Sequence, residues 1–519
     1  MTLAHGFLRD PSQVETPSAR RGAVADPAPA SAPVSLPIPE WAQAQERRGP
    51  MRPATLSPTR SRLTGWMLGV IFRLADAGAL TVIALVAAIW AGTYSVAGVT
   101  PFAVGALAIA WSLTLVRAYG FAARETLERH LVRLGIGFGL AALALTFLLT
   151  GFRLAAVPAL HFTQWFATSV VALYALHGAW WATVRRWRAA GRLTPNIVVV
   201  GATANAERLV GAAMKSGEAA VLGVFDDRAA RAPRDIAGVL MLGDTAALLQ
   251  HRILPYVDKI VITVPQLAQD RVRELIERLA VLPNEVMLFI DQGPAGRAAA
   301  LSRIVDAPLA PVSGIPSDER RAMVKRIGDL VIGALALLAL APAMALIALA
   351  IKLDTPGPVF FRQRRHGFNS EQILVWKFLS MKQGSDRGPV LQVSADDPRV
   401  TRVGRIMRQL SLDELPQLFN VLAGEMSLVG PRPHAVGMRT GETESAKLVA
   451  EYAHRHRMKP GITGWAAVNG SRGPVDTPDL VRRRVALDIE YIERQSLMLD
   501  LTIMLRTIPC LLGDKLAVR

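Results

Sequence analysis

The sequence predicts a membrane protein of the α plus α/β class, in which apolar helices are combined with a sheet domain and a mainly α C-terminal domain. The 519 residues are 51% hydrophobic, with a mean hydropathy of +0.29, which is high for a soluble protein. Several apolar runs are long enough to cross a bilayer. Short β-branched runs alternate with helical stretches in the middle of the chain. At about 150 residues per unit, the length allows roughly three domains.

The charge of the chain indicates an anionic partner. Lys and Arg number 59 against 42 Asp and Glu, which gives a formal charge of +17. Such an excess suits lipid head groups, phosphates or nucleic acid, and we expect the lipid bilayer and phosphates rather than nucleic acid. The single cysteine, Cys510, excludes an intrachain disulfide and a thiolate metal cluster.

Residues 1–60 are predicted to form a disordered tail. They are rich in proline and have no apolar period. No short apolar core with a cleavage site follows the start, so we do not expect a signal peptide.

Residues 61–184 are predicted to form a four-helix transmembrane domain. The four apolar runs lie at about 66–92, 94–116, 131–150 and 158–182. Arginines cluster before the first run, between the second and third, and after the fourth, whereas the other two loops carry only Arg153. By the positive-inside rule, the tail and the chain after residue 184 are cytoplasmic.

Two charged residues lie inside the first apolar run. Arg73 and Asp76 are three residues apart and therefore either pair on one helix face or sit at the membrane interface. We expect the interface.

Residues 194–312 are predicted to form a Rossmann-like α/β domain. Strands at 197–200, 259–264 and 286–290 alternate with helices near 204–215 and 268–281, which is typical of a parallel sheet.

The first turn of this domain lacks the full nucleotide-binding pattern. Gly201 ends the first strand, but Thr203 and Ala206 occupy the second and third glycine positions of G-x-G-x-x-G. A scaffold or regulatory role is therefore favoured over dinucleotide binding, which stays open.

A fifth apolar run, 329–353, is predicted to be a re-entrant membrane helix. Basic residues flank both of its ends, and Pro342 lies at its centre, where proline removes a helix hydrogen bond and bends the axis. A helix that enters from the cytoplasm, breaks at Pro342 and returns keeps both basic clusters inside. A kinked fifth crossing is the alternative. Lys325, Arg326 and Lys352 either meet lipid phosphates or form a solvated rim.

The stretch 409–422, QLSLDELPQLFNVL, contains an adjacent pair of carboxylates, Asp413 and Glu414. Ser411 and Glu414 also fit a capping box, so an ordinary helix start is the alternative. Arginines surround the pair in sequence: Arg402, Arg405, Arg408 and Arg432. Arginine forks hold phosphate oxygens, and Mg²⁺ binds through one or two carboxylates plus substrate phosphates. The combination suits phosphoryl transfer with a divalent metal beside a membrane.

Other polar groups in this region are less informative. His454 and His456 are two residues apart, which does not put both on one helix face, so a metal role is disfavoured. Asp396 and Asp397 are more typical of a turn than of a ligand pair.

Two long motifs give the region a family resemblance. Residues 413–433 read DELPQLFNVLAGEMSLVGPRP, and residues 459–465 read KPGITGW. With KRIGDL (325–330) and PGPVFFRQRRHG (356–367), they resemble the bacterial polyprenyl-phosphate phosphoglycosyl transferases of the monotopic type, over about 320–510. The four N-terminal helices and the Rossmann-like domain resemble the large subclass, such as the undecaprenyl-phosphate glucose phosphotransferases that start exopolysaccharide assembly.

The resemblance implies a transferase that moves a sugar-1-phosphate from a UDP-sugar to undecaprenyl phosphate and releases UMP. It implies that Asp413 is the nucleophile, that Glu414 assists, and that both hold Mg²⁺. It further implies that phosphates are bound by Arg408, Arg432, Arg457 and Lys377, and that Pro342 is the helix break.

The same resemblance assigns residues 320–519 to a catalytic domain on the cytoplasmic face of the bacterial inner membrane. Glucose is the expected sugar and galactose the alternative, and a homodimer stays open. A membrane-anchored nucleotide-sugar dehydratase needs an intact glycine pattern and a Tyr-x-x-x-Lys pair, and neither occurs in 196–312. A non-enzymatic scaffold leaves the 396–465 cluster unexplained.

Two positions depart from the family pattern. Leu379 stands where the family usually has arginine, and Ala467 where it usually has glutamine. These changes bear on recognition of the donor sugar or nucleotide.

Overall fold

The computed structural model describes residues 64–513 except for gaps at 94, 122–124, 152–157, 229–232, 291–301, 305–306, 315–317, 382–397, 436–437, 441–442, 445–447, 474 and 476. The predicted tail, 1–60, and the Asp396–Asp397 pair lie outside the described residues.

Four helices open the described chain. They are α1 (Gly65–Trp90), α2 (Val96–Leu115), α3 (Leu127–Gly151) and α4 (Ala159–Ala189). The first two begin at side-chain caps, because the hydroxyl groups of Thr64 and Ser95 accept hydrogen bonds from backbone N–H groups three residues on. The four helices share an aromatic-rich core that includes Phe72, Phe102 and Trp165.

Four described helices are long and apolar enough to cross a membrane: α1, α2, Leu127–Leu148 within α3, and the long helix Glu319–Asp354. The first three coincide with predicted apolar runs. The fourth predicted run forms α4, but this 31-residue helix is not in the set. Polar side chains such as His161, Gln164 and His177 lower its hydropathy.

Asp76 and Arg73 do not pair with each other. Asp76 is only 1% exposed, and its carboxylate accepts hydrogen bonds from the Tyr119 hydroxyl and His177 Nε2, both at 2.9 Å. Arg73 instead donates from Nε to the Gly69 carbonyl at 2.9 Å. The partners of Asp76 are 43 and 101 residues away, so local spacing gives no sign of them.

A mixed eight-stranded sheet follows the helices. Its elements are β1 (Asn196–Val200), α5 (Ala204–Ser216), β2 (Ala220–Phe225), β3 (Asp235–Ile236), β4 (Val239–Gly243), α6 (Thr245–Leu249), β5 (Lys259–Ile262), α7 (Gln269–Leu279), β6 (Glu285–Phe289), β7 (Ser302–Ile304) and β8 (Ala307–Ser313). The strand order is β3-β4-β2-β1-β5-β6-β8-β7. Strands β4, β2, β1, β5 and β6 are parallel, and the outer strands are antiparallel.

The sheet confirms the parallel α/β pattern read from the sequence, with element ends shifted by one or two residues. Every residue of β1 and β2 is buried, which matches their β-branched or continuous apolar sequences. The chain proceeds outwards from β1 in both directions, so the loops after β1 and β5 meet at the point where the strand order reverses.

The C-terminal domain begins with α8 (Glu319–Asp354). It continues with the antiparallel hairpin β9 (Phe360–His366) and β10 (Gln372–Phe378), then α9 (Arg402–Gln409), α10 (Gln417–Ala423), β11 (Ser427–Val429), β12 (Arg439–Thr440), β13 (Thr443–Glu444), β14 (Gly461–Thr463), α11 (Trp465–Val468), α12 (Pro478–Arg494) and α13 (Leu497–Gly513).

Helix α8 continues through Pro342 as one 36-residue element. In its first half, Gly333 faces Val421 of α10. In its second half, Met344 and Ile351 belong to an apolar cluster that also contains residues of β10 and α9. A straight helix of this length spans about 54 Å, yet the same C-terminal domain contacts both halves.

The end of α8 is joined directly to the start of α9. The Asp354 carboxylate accepts a hydrogen bond from the Val403 N–H at 3.1 Å. The Thr401 hydroxyl caps the same helix through the Gly404 N–H at 2.9 Å. The apolar helix and the helix that leads to Asp413 therefore meet at a fixed joint.

Candidate active site

The carboxylate pair lies in a single 3₁₀ turn, Leu412–Glu414, between α9 and α10. The turn is preceded by Ser411, whose φ of 55° is in the left-handed region that is costly for a residue with a side chain. The Ser411 hydroxyl accepts a hydrogen bond from Arg472 Nη2 at 2.7 Å and caps no helix. The capping-box alternative for Ser411 and Glu414 is therefore wrong.

Both carboxylates are buried, with exposed fractions of 8% for Asp413 and 6% for Glu414. Two cations approach them. Lys377 Nζ lies 3.3 Å from Glu414 Oε1 and 4.0 Å from Asp413 Oδ2, and Arg432 Nη2 donates to Glu414 Oε1 at 2.6 Å. Glu414 therefore receives the shortest contacts from both cations, and Asp413 lies beside them.

Lys377 reaches the pair from β10, close to the end of the hairpin. Burial lowers the pKa of Lys377, and the neighbouring carboxylates of Glu414 and Asp413 oppose that shift. The lysine side chain is 18% exposed, so it is neither a surface charge nor sealed in the core. Lys377 therefore adjoins the carboxylate pair, and its phosphate-binding role stays a prediction.

Arg365, on the paired strand β9, is a third cation that the sequence analysis did not select. Burial and, to a smaller extent, the charge of Arg432 lower the pKa of Arg365 to about 10, although Glu414 opposes both. The signal was present in the strand period: Arg362 and Arg364 are exposed, whereas Gln363 and Arg365 share the other face. Three cations thus surround two carboxylates, which leaves an excess of positive charge suited to phosphate.

Close backbone packing explains the glycines of the two motifs. Strands β11 and β14 pair in parallel, and the Gly430 N–H donates to the Thr463 carbonyl at 2.9 Å. The Gly461 N–H donates to the Pro431 carbonyl at 3.0 Å. A Cβ atom on Gly461 would lie 2.0 Å from the nitrogen of Gly430, so no larger residue fits. This contact fixes the turn that presents Arg432.

Arg455 supports the same turn from inside the domain and was also not assigned a role from sequence. It is 1% exposed, its Nη2 donates to the Arg432 carbonyl at 2.8 Å, and the same nitrogen lies 2.7 Å from Asp488 Oδ2. Nη1 lies 2.8 Å from His434 Nε2. Burial and the charge of Arg455 hold the pKa of His434 well below its usual range, so this histidine is neutral.

Arg457 and Arg408, two of the residues predicted to bind phosphate, occupy different positions relative to the carboxylate pair. Arg457 Nη2 donates to the Leu282 carbonyl at 3.4 Å, so this arginine faces the α/β domain rather than the carboxylate pair. The reason is the 3₁₀ segment Ala450–Arg457, which turns Arg455 inwards and Arg457 outwards. Arg408 is half-buried in the last turn of α9, and its phosphate role stays a prediction.

The histidines do not form a metal site. His454 Nε2 contacts the Ala280 carbonyl, whereas the ring of His456 lies 5.6 Å from that of His366. Among the described residues, no three His, Cys, Asp or Glu side chains are grouped so that they hold a metal ion. A carboxylate pair with phosphates from a ligand is the arrangement that remains for Mg²⁺.

An exposed apolar rim flanks the turn. Ile406 is 60% exposed, Leu410 45% and Phe419 36%, all on or beside the two helices that hold the pair. Leu379, one of the two departures from the family pattern, is buried in the apolar cluster with Met344 of α8. The other departure, Ala467, lies in α11. The charged turn is thus bordered by surface suited to lipid.

Comparisons with known proteins agree with this geometry. The family model described as bacterial sugar transferase matches residues 320–514, and a model described as CoA-binding domain matches residues 117–289. Both the carboxylate pair and its three cations lie within the first match.

Curated relatives carry related names. The UDP-glucose:undecaprenyl-phosphate glucose-1-phosphate transferase of Xanthomonas campestris is 40% identical over 55% of this chain and 61% of its own length. A protein of that name from Caulobacter vibrioides is 46% identical over 43% of this chain and 79% of its own length. The exopolysaccharide production protein PSS of Rhizobium leguminosarum is 48% identical over 36% of this chain and 94% of its own length. The chain spans between about half and three fifths of the length of the first curated relatives it matches.

Proposed function

This chain belongs to the bacterial sugar transferase family, and from that premise we propose that it transfers a sugar-1-phosphate from a UDP-sugar to undecaprenyl phosphate and releases UMP. The observation that carries the proposal is the buried pair Asp413–Glu414 with Lys377, Arg365 and Arg432 around it. UDP-glucose is the proposed donor, since relatives named for that substrate align with the domain that holds the pair.

In the proposed first step, a carboxylate oxygen of Asp413 attacks the phosphorus that carries the sugar. A bond forms between that oxygen and phosphorus, the bond from phosphorus to the bridging oxygen breaks, and UMP leaves with that oxygen. Lys377, Arg365 and Arg432 neutralise the charge that moves onto the phosphate oxygens, which is the main requirement of phosphoryl transfer. Glu414 keeps two of those cations in position through its contacts of 3.3 and 2.6 Å.

In the second step, a phosphate oxygen of undecaprenyl phosphate attacks the same phosphorus. The bond to Asp413 breaks, and the carboxylate is regenerated as the lipid-linked sugar pyrophosphate leaves. Splitting the reaction means that two large anionic substrates need not occupy the site together. The exposed Ile406, Leu410 and Phe419 give the acceptor a path from the bilayer to the turn.

The donor set fits Mg²⁺ bound through carboxylates and substrate phosphates. Asp413 and Glu414 would hold the ion, and when bound it supplies further neutralisation of phosphate charge. The adjacent carboxylates of the 3₁₀ turn support this assignment.

We also infer that α8 is re-entrant, with its bend at Pro342, and that the active site faces the cytoplasm of a bacterial inner membrane. The basic residues at both ends of the apolar run and Pro342 near its centre support this, since a single crossing would place one basic cluster outside. The arginine clusters that flank the N-terminal helices support the orientation.

We further infer that the α/β domain is a Rossmann-like scaffold rather than a dinucleotide site. The Asp226 carboxylate accepts a hydrogen bond from the Ala202 N–H at 2.6 Å, in the turn after β1. A pyrophosphate would compete for that donor with a negative charge already present.

The test uses the purified full chain in nanodiscs with Mg²⁺, undecaprenyl phosphate and UDP-glucose, UDP-galactose or UDP-N-acetylgalactosamine. We expect UMP release, fastest with UDP-glucose, and a loss of at least about 10³-fold in Asp413→Asn. Asp479→Asn, at an exposed carboxylate paired with Arg482, is the matched control and should retain full activity. Equal turnover by Asp413→Asn would remove the assigned nucleophile, and no UMP from any donor would remove the function.

A further inference from the structure

We propose that the α/β domain positions the active site by holding the tip of the β9–β10 hairpin, and that Asn369 is the positioning residue that makes the connection. The inference rests on the proposed function for its catalytic consequence. It assigns a task to a domain that takes no part in the chemistry.

Asn369 lies in the hairpin turn, and its side chain is buried against the α/β domain. It lies in the 3₁₀ turn Phe368–Ser370 between the two strands, and it is 5% exposed. Its Nδ2 donates to the Leu254 carbonyl at 2.9 Å and to the Val257 carbonyl at 3.0 Å. A φ of 54° directs the side chain into this contact, in a conformation that asparagine tolerates better than most residues.

Within the α/β domain, Asn284 contacts the same two carbonyls. Asn284 Nδ2 lies 2.7 Å from the Val257 carbonyl and 3.4 Å from that of Leu254. A carbonyl oxygen has two lone pairs, so one amide from each domain can use both acceptors. The pairing of two asparagines on one short segment is a specific junction, since buried backbone acceptors need such partners.

The hairpin leads from this junction to the cations of the active site. Arg365 lies four residues before Asn369 on one strand, and Lys377 lies eight residues after it on the other. At about 3.3 Å per strand residue, Lys377 is roughly 17 Å along β10 from Gln372, where the strand begins. The strands pair without interruption from Gln372↔His366 to Phe378↔Phe360, so a tilt at the tip is passed along the ladder.

The hairpin has a second attachment next to the active site. Asn420 of α10 accepts from the Trp376 N–H at 2.9 Å and donates to the Leu374 carbonyl at 2.8 Å. This contact fixes β10 near Lys377, and on the other strand the His366 N–H donates to the His434 carbonyl at 3.1 Å. Within the C-terminal domain the hairpin is thus held up to the start of its turn, and the turn itself is held by Asn369. Loss of the Asn369 contact is therefore expected to misalign the site rather than to dismantle it.

Another segment makes the same connection for Arg432. The 3₁₀ segment Ala450–Arg457 contacts the α/β domain through His454 at the Ala280 carbonyl and through Arg457 at the Leu282 carbonyl. Between them, Arg455 donates to the carbonyl of Arg432. The cations that contact Glu414 are thus both tied to one face of the α/β domain.

Two substitutions at Asn369 separate the domain contact from the shape of the turn. Asn369→Gly keeps access to the left-handed conformation and removes the amide. Asn369→Asp keeps the size of the side chain but turns an acceptor towards two carbonyl acceptors. Ser370→Gly is the matched control, because Ser370 also has a positive φ, of 59°, in the same turn.

We expect kcat to fall about 3- to 10-fold in Asn369→Gly and about 10- to 100-fold in Asn369→Asp, since misplacement near 1 Å costs about 10²-fold. Ser370→Gly should match the wild type. If only the conformation of the turn matters, Asn369→Gly will equal the wild type and Asn369→Asp will be little changed, which overturns the proposal.

Hydrogen exchange supplies a readout that does not depend on turnover. Amides of 360–378 should exchange faster in Asn369→Asp, and so should amides of 254–257, while those of α12 should not change. Unchanged exchange in both segments would overturn the proposal even if activity fell. If the wild type releases no UMP, the proposed function fails, and exchange still decides whether Asn369 joins the domains.

Discussion

The membrane helices and the candidate active site each bury two carboxylates, but they surround them with different partners. Asp76 lies against Tyr119 and His177, and Glu125 lies against His130 and Arg133. Asp413 and Glu414 lie against Lys377 and Arg432, with Arg365 behind them. The first cluster is built mainly from groups that are neutral or titratable, and the second from cations.

The membrane cluster forms a continuous chain of contacts. His177 Nε2 lies 2.9 Å from Asp76, His177 Nδ1 lies 3.0 Å from His130 Nε2, and His130 Nδ1 lies 3.3 Å from Glu125. A histidine that donates from one ring nitrogen accepts at the other unless it is charged. Two neutral histidines carry two ring N–H groups, whereas three contacts that end on two carboxylates need three donors. The chain, which joins three helices, is therefore complete only when it holds one additional proton.

The active-site cluster differs because its cations outnumber its carboxylates. The excess has no use in holding the fold, since buried ion pairs are weak contributors to stability. It is suited to an anion that arrives and leaves. Both pairs of carboxylates are buried, so burial does not distinguish them. They differ in how many cations surround them and in whether those partners are permanently charged.

The largest expected effect comes from removing one of the cations of the candidate active site. Arg432→Gln removes the 2.6 Å contact to Glu414 and one phosphate donor, so kcat/KM should fall about 10²- to 10³-fold. Arg432→Lys should recover little, because a lysine lacks the planar fork. Steady-state UMP release is the measurement.

Arg494→Gln is the control for that substitution, since Arg494 pairs with Glu490 on an exposed surface. It should keep wild-type rates. Full activity in Arg432→Gln would contradict the assignment of this arginine to phosphate.

Substitution of Asp76 should lower the stability of the protein without changing its catalytic rate. Asp76→Leu leaves the Tyr119 hydroxyl and the His177 N–H without their acceptor, and each buried donor without a partner costs about 1–3 kcal/mol. Thermal unfolding in nanodiscs should therefore shift to lower temperature, while turnover per folded molecule should not change.

Thr81→Val is the matched control within the same helix. The Thr81 hydroxyl donates only locally, to the Ala77 carbonyl at 2.7 Å on an exposed face, so its loss should have little effect. If Asp76→Leu is as stable as Thr81→Val, the cluster does not hold the helices together.

The smallest expected effect is a pH dependence of the stability of the C-terminal domain, which arises from two buried histidines. Burial and the charge of Arg455 hold the pKa values of His434 and His456 well below the usual range. Below about pH 6.5 the unfolded chain binds protons at these positions and the folded chain does not, so stability falls as the pH decreases. The slope contributed by each histidine reaches at most about 1.4 kcal/mol per pH unit.

Unfolding of the wild type and of His456→Gln between pH 7 and pH 5 measures this term. The variant should lose stability less steeply on the acid side, and contributions from other histidines cancel in the difference. Parallel curves would show that His456 takes up a proton in the folded state.

The sequence located some of these features well because their signals are local. Asp413 and Glu414 are adjacent within a long motif, and the parallel strands carry a clear β-branched pattern. The same local reasoning missed the partners of Asp76, which are 43 and 101 residues away in the chain. Arg457 contacts the Leu282 carbonyl of the α/β domain, and its phosphate-binding role stays a prediction.

The remaining misses concern direction rather than identity. Arg365 was recognised as basic, but only the register of β9 separates it from its exposed neighbour Arg364. Arg455 precedes the KPGITGW motif by four residues, and its contact is with the carbonyl of Arg432, 23 residues earlier in the chain. Composition and spacing report neither the direction in which a side chain points nor its contacts with residues distant in the chain.

The joint between Asp354 and Val403 has a consequence for how the protein senses its surroundings. Because the last residue of the apolar helix accepts from the helix that leads to Asp413, a vertical displacement of one is transmitted to the other. If Asp413 is the nucleophile as proposed, its height above the hydrocarbon would follow the depth at which α8 lies in the lipid. Acyl-chain length would accordingly act as a control on turnover, with thin and thick bilayers moving the same side chain to different depths.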